Sequence, residues 1–371
     1  MIQIKRGFLP VLSVFFAACG PGILGPCPDT PILTALPFDA ADMGSVAPLG
    51  QLNPPSHTLP TEHMYFNYTT PGSKKVSIYA PGDIVITQVA RAAYQNRTYQ
   101  YDYTIDFGLC HSMSGRYSHV LTLEPGLLAR LGELSDCSSY STADETITNC
   151  KSKKKISLKA GEVLGYSGEV AAMYGMDLGI QDSRVSNSFI NSSRNKSFMH
   201  SVSPYNYYTS ALKQVIASKM VSNDGATRVV EPLGGEIAYD VAGTAQGSWF
   251  KVGGSGFAEG YALAVAKDHY LPNILAFSIS LLGTAQDSKV LFFSPQSTGS
   301  VRTPFTSVSS VGGVYCYDSL YLDRILQTAV SSTIVLLQLQ SNGQLLFDVQ
   351  TAASCGSGPW AMSASAITLE R

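Results

Sequence analysis

The second half of this 371-residue chain is a procession of short apolar runs, and that procession most limits what the chain can fold into. "GGEIAYDV", "YALAVAK", "ILAFSISL", "KVLFFSP", "GGVYCYDSL", "STIVLLQLQ", "QLLFDVQ" and "AITLER" follow one another from Gly234 onward. Each is shorter than a typical helix and rich in β-branched and aromatic residues, so each predicts a strand. Regular spacing with turn residues between them predicts an antiparallel β-barrel or β-sandwich. The first half reads the same way, through "KKVSIYAPGDIVITQVA", "YQYDYTIDFGL", "RYSHVLTLE" and "KKISLKAGEVLGYSG". Helical periodicity is confined to "PGLLARLGEL" (Pro125 to Leu134), with Pro near its start, and "YTSALKQVIASKMV" (Tyr208 to Val221). The fold class is therefore mainly β.

The first residues, "MIQIKRGFLPVLSVFFAACG", place Lys5 and Arg6 before an apolar stretch and small residues before Cys19. This predicts a secretory signal over residues 1–18, too short to span a bilayer permanently. "FAACG" resembles the bacterial lipobox, in which the Cys that follows cleavage is lipidated; Cys19 is that residue. The chain is then expected in the cell envelope, held to a membrane surface by acyl chains. Gly20 rather than Asp after Cys19 favours the outer membrane where a bacterium has two.

Without Cys19, six of the seven cysteines remain, an even set suited to an oxidising compartment. Cys137 and Cys150 bracket a polar segment, Cys316 and Cys355 lie in neighbouring strand-like runs, and Cys27 and Cys110 pair by elimination. None has the close spacing of a zinc knuckle. Only 14% of residues are charged and the net charge is −2, with no basic stripe, so nucleic acid is not an expected partner.

A chain this long exceeds one comfortable core, so two domains are expected. Residues 19–48, rich in Pro, Gly and Ala, predict a flexible tether. Residues 49–182 form a first β domain, 183–225 a polar linker with a short helix, and 226–371 an all-β C-terminal domain.

Three polar islands carry what chemistry the first domain has: "HTLPTEHMYF", "GRYSHVLTL" and "YGMDLGIQD". Each sets a His or an acid within or beside an alternating apolar run, so a strand would turn it inward. There it can be a metal ligand, a general base or a satisfied core hydrogen bond. With "YAPGDIVI" and the "LKAGEVLGYSG" turn between them, the ordered islands resemble the lysostaphin/LytM-type zinc endopeptidases, which cut peptide bridges in peptidoglycan. The resemblance covers about a third of the chain and implies a lysostaphin-like duplicated hybrid motif, with peptidoglycan or another cell-envelope polymer as partner.

The resemblance carries over incompletely. His119 in "RYSHV" matches the family's catalytic Y-x-H position, where it would deprotonate a zinc-bound water or stabilise an oxyanion. The leading island has His57, Glu62 and His63 where the family has a His and an Asp, and the closing strand has no His. Asp177 stands at the place of the ligand His, and Gly175 at that of the second catalytic His. The resemblance thus implies a Zn2+ set of His57, His63 and Asp177, and either a weak peptidase or a wall-binding pseudoenzyme, since one lost donor is typically worth about 100 to 1,000-fold in rate. The rival expectation is a non-enzymatic envelope protein whose C-terminal domain binds a protein or glycan. Ser167 in "GYSGE" and the pair Glu169 and Asp182 are weaker candidates for a nucleophile and for glycosidic chemistry.

Overall fold

The computed structural model describes residues 24–94, 97–141, 146–254, 258–310 and 313–371. The signal and Cys19 lie outside the described residues. In chain order the strands are β1 (Met43–Ala47), β2 (Met64–Tyr68), β3 (Val76–Tyr79), β4 (Ile84–Ala93), β5 (Tyr101–Cys110), β6 (Met113–Val120), β7 (Thr122–Leu123), β8 (Asp136–Ser141), β9 (Thr146–Ser152), β10 (Ile156–Leu158), β11 (Val163–Ser167), β12 (Gly175–Asp182) and β13 (Ser201–Val202). The second half adds β14 (Gly247–Lys251), β15 (Ala262–Lys267), β16 (Leu275–Ile279), β17 (Lys289–Phe293), β18 (Tyr315–Tyr317), β19 (Ile334–Leu339), β20 (Leu345–Gln350) and β21 (Ile367–Glu370). Two α-helices, α1 (Pro125–Leu131) and α2 (Ser210–Ala217), interrupt them. Pro125 opens α1 while the Glu124 carboxylate accepts from the Leu127 N–H at 2.6 Å, and Gly132 ends it at positive φ. No helix among the described residues is long and apolar enough to cross a membrane.

The fold is mainly β, as the procession of short runs predicts. In the first half the main sheet runs β1-β2-β12-β6-β5-β4-β9-β8, with β10 on β4 and β13 on β12; a small sheet, β3-β11-β7, lies apart from it. Alternation decides which faces are buried: in β2 Met64, Phe66 and Tyr68 are buried while Tyr65 and Asn67 are half-buried. The second half is one antiparallel sheet, β17-β16-β15-β14-β21-β20-β19-β18. Its ends approach one another, Phe292 of β17 bridging to Tyr321 just beyond β18, which makes a nearly closed barrel.

The barrel's alternation also explains how the halves join. Trp249, Leu263, Val265 and Phe277 point into the barrel core, while their neighbours Phe250, Ala262, Ala264 and Ala276 belong to the core of the first half. Strands buried on both faces read as continuous apolar runs, and the repeated alanines let the barrel wall approach closely.

Two expectations about connecting segments are corrected. Residues 19–48 are not a free tether where they are described: Leu33, Phe38, Met43 and Val46 are fully buried, β1 pairs with β2, and Cys27 is bonded to Cys110. Pro and Gly forbid a helix there without preventing apolar side chains from packing. Nor is 183–225 a loose linker. Val202 pairs with Ile180, and Tyr208, Ile216 and Met220 are buried. The helix inside it is shorter than its apolar pattern suggests. The other disulfides are Cys137–Cys150, across the β8–β9 hairpin, and Cys316–Cys355.

Candidate functional site

Strand order brings the three polar islands side by side. β12 lies between β2 and β6, and Asp177 sits opposite Tyr65 on one side and Ser118 on the other. His63 precedes β2 and its Nε2 lies 3.5 Å from Asp177 Oδ2. His119 approaches the same oxygen through Nε2 at 3.3 Å. Its other nitrogen, Nδ1, is 2.8 Å from Asp102 on β5. Glu62 closes the chain at 3.5 Å from His63 Nδ1. Carboxylates and imidazoles thus alternate in the order Asp102, His119, Asp177, His63, Glu62.

Backbone irregularity aims His119. Between the pairs Tyr103–Val120 and Ile105–Tyr117, β6 carries two residues against one on β5, a β-bulge. His119 takes φ 68° there, a left-handed conformation uncommon outside glycine. Bulges re-aim side chains next to functional sites, and a strained residue there is a reason to look for one.

The electrostatics follow from these contacts. Burial opposes a charge on His119, but its bonds to Asp102 and Asp177 outweigh burial and raise its pKa to about 11. His63 is raised too, burial being outweighed by Asp177 and Glu62. Asp177 is lowered, because the two imidazoles overcome the burial that would protonate it. His57 is lowered, by burial first and then by the neighbouring charge of His63. An imidazolium already bonded to two carboxylates has no lone pair with which to take a proton. With both N–H groups committed to carboxylates it also has none free for an oxyanion, so His119 as placed suits neither of the roles that the resemblance implies.

The expected zinc set is not assembled. His57 lies in the loop before β2, its ring edge-on to His63 with centroids 5.2 Å apart, and Asp177 Oδ2 faces two imidazoles rather than a shared open position. Among the described residues no group of three or more His, Cys, Asp or Glu side chains is arranged to hold a metal ion. The donor set does not fit the metal that the resemblance implies.

Gly175 is closed to the residue that the resemblance would put there. A Cβ at that position would lie 2.5 Å from the Phe66 carbonyl oxygen and 2.7 Å from Asn67 Oδ1. A histidine at 175 would force β2 and β12 apart. The weaker candidates dissolve into structure: Ser167 is fully buried, and Asp182 is held by Arg184 and Tyr207.

Two residues of the site escape a reading of motifs. Asp102 is signalled only by being an acid in an alternating apolar run. Glu259 comes from the second half, accepts from the Leu59 N–H at 3.1 Å and pins the loop that carries His57. Burial, opposed by that bond, pushes its carboxyl up to about 7. Two hollows flank the cluster, one of about 300 Å³ beside Glu62, Arg116 and Gln181 and one of about 600 Å³ between the halves. Comparison with described protein families, with characterised proteins and with solved structures finds nothing that matches this chain.

Proposed function

We propose that this is a bacterial surface lipoprotein, anchored through Cys19, whose first half is a lysostaphin-like domain that binds peptidoglycan without cleaving it. The observation that carries the pseudoenzyme reading is the closure at Gly175, where backbone occupies the space of a catalytic side chain. The polar cluster supports binding, because paired ionic groups beside two hollows present hydrogen-bonding surface to a polymer. Loss of a single transition-state donor is typically worth about 100 to 1,000-fold, and here the metal position is lost as well.

The test uses the soluble chain from Gly20 onward with purified sacculi. Cosedimentation with no released peptides and no bound zinc is the expected result. Stoichiometric zinc, absent in the His63→Ala, Asp177→Ala double variant, together with released peptides would replace the pseudoenzyme by an active peptidase. No cosedimentation would remove the wall-binding reading altogether.

A further inference from the structure

Lys151, Lys153, Lys154 and Lys155 put four positive charges into five residues of a chain whose net charge is −2. The fold sets that run at the rim of a sheet. β9 pairs with β4 over Val89–Ala93, and β10 pairs with the same edge of β4 over Ile84–Ile86. Lys153, Lys154 and Lys155 cross from one to the other beside Thr87 and Gln88, and all three are exposed. Buried Ile156 and Leu158 alternate with Lys155, Ser157 and Lys159, which keeps Lys155 on the solvent face.

The acids nearby are spent on other groups. Asp106 holds Arg116 and Gln88, Asp102 holds His119 and Asp83 holds Lys159. Asp136 lies across the β8–β9 ladder from Lys151 and offsets that lysine alone. Among the described residues Lys153, Lys154 and Lys155 have no ion pair. Three adjacent charges are left for an anion from outside.

Where the described chain begins says which anion lies within reach. Leu24 covers Gly108 of β5 so closely that a Cβ there would strike it, and it lines a hollow together with Gly108 and Thr87. Gly108 pairs with Val85 of β4, and Val85 pairs with Ser157 of β10. Ser157 is thus two strand spacings, about 10 Å, from Gly108. Lys155 is two residues away from Ser157. Cys19 precedes Leu24 by five residues, at most about 18 Å of chain. Acyl chains on Cys19 would therefore hold a bilayer surface beside this edge of the sheet.

We propose that Lys153, Lys154 and Lys155 dock on the anionic phospholipid headgroups of the membrane that holds Cys19. This rests on the reading of the chain as a lipoprotein anchored through that residue. An acyl anchor fixes distance; the lysines fix which edge faces the bilayer, the one made by β9 and β10. Compact charges on flexible stems suit a fluid surface of phosphates that offers no fixed geometry.

The experiment cosediments the soluble chain from Gly20 onward with vesicles of phosphatidylglycerol and phosphatidylcholine in equal parts, and with vesicles of phosphatidylcholine alone. Binding to the anionic vesicles only, abolished by high salt, is expected. The triple variant Lys153→Gln, Lys154→Gln, Lys155→Gln should bind on the order of 100-fold more weakly, about fivefold per lysine. A control triple, Lys213→Gln, Lys219→Gln, Lys267→Gln, removes the same charge from α2, the turn after it and β15 and should bind as the parent does. No binding to anionic vesicles, or equal loss in both triples, would overturn the proposal. Binding to immobilised polyphosphate but to no vesicle would also overturn it, replacing the bilayer by a soluble polyanion. Labelling of the full chain in cells with a palmitate analogue separates the two readings. Label at Cys19 without vesicle binding would overturn the docking surface and leave the anchor standing. Vesicle binding lost only in the Lys153–Lys155 triple, with no label at Cys19, would uphold the headgroup surface and refute the anchor.

Discussion

Two buried carboxylates, one in each half, show how differently the halves use the same group. Asp348 on β20 of the barrel is 1% exposed and fully employed: it accepts from the Ser363 N–H at 2.6 Å, the Ser363 hydroxyl at 3.0 Å and Gln350 at 2.7 Å. It fastens the segment before β21 to the sheet. Asp177 is 7% exposed and has imidazoles on one oxygen; among the described residues it receives no backbone N–H and its other oxygen has no hydrogen-bond partner. Buried polar groups are normally satisfied, so a carboxylate spent on backbone is architecture. One held between two imidazoles, with no backbone to fasten, is spent on the polar cluster instead.

The contrast predicts that the barrel answers to packing alone. Phe277 is fully buried with Phe293, Phe305, Tyr317 and Phe347 at centroid distances of 5.0–6.2 Å. Phe277→Ala should cost about 3–5 kcal/mol in denaturant unfolding, the range for an emptied aromatic site, and leave sacculus binding by the folded fraction unchanged. Asp177→Ala should cost about 3 kcal/mol, because it leaves two buried imidazoles without their shared partner, and should weaken binding as well. If Asp177→Ala moved stability alone, the cluster would be architecture like Asp348 and the comparison would fail.

A somewhat smaller effect is expected from putting back the residue that the resemblance calls for. Gly175→His drives a side chain into the backbone of β2 and should destabilise by about 1–3 kcal/mol, as overpacking does. Peptide release from sacculi should stay at background. If the variant were as stable as the parent and hydrolytic, strands β2 and β12 would be more yielding than their spacing implies, and the parent would be an enzyme one residue short.

How much of this was legible follows from which forces act locally. Strand period is local, so the β class could be read from alternation; the placement of His63, His119 and Asp177 could not, since His63 precedes β2, His119 sits on a bulge and Asp177 alternates with the core residues Met176 and Leu178. Half-cystine pairing was legible through the short Cys137 to Cys150 interval and through elimination. The bulge that swings His119 onto Asp102 depends on a one-residue mismatch between two strands, which neither strand states alone. The closure at Gly175 depends on the approach of the Phe66 carbonyl, a tertiary fact. The stretch from Leu33 to Val46 is not legible in the same way, because Pro and Gly describe what a backbone cannot do and are silent about whether Phe38 and Met43 find a core.

Per pH unit the smallest expected effect is in pH dependence, where two histidines of opposite character separate the cluster from the barrel side. His119 is raised from 6.5 to about 11, so the folded chain holds its proton more tightly than the unfolded chain. Its stabilisation is complete below pH 6.5 and is lost as pH rises towards 11. His269 is lowered by burial, with Asp268 opposing, from 6.5 to about 3, so between those values the unfolded chain binds a proton that the folded chain does not. Stability therefore falls as pH drops through that window and is untouched by His269 above it. One proton changes stability by at most about 1.4 kcal/mol per pH unit. His119, with its side chain 38% exposed, contributes less because solvent screens its pairs. Unfolding midpoints measured from pH 4 to 9 should thus decline on the alkaline side less steeply in His119→Gln, and on the acid side less steeply in His269→Gln. An acid limb unchanged by His269→Gln would mean that His269 takes up its proton in the folded state, against the neighbouring charges of Arg324 and Arg228.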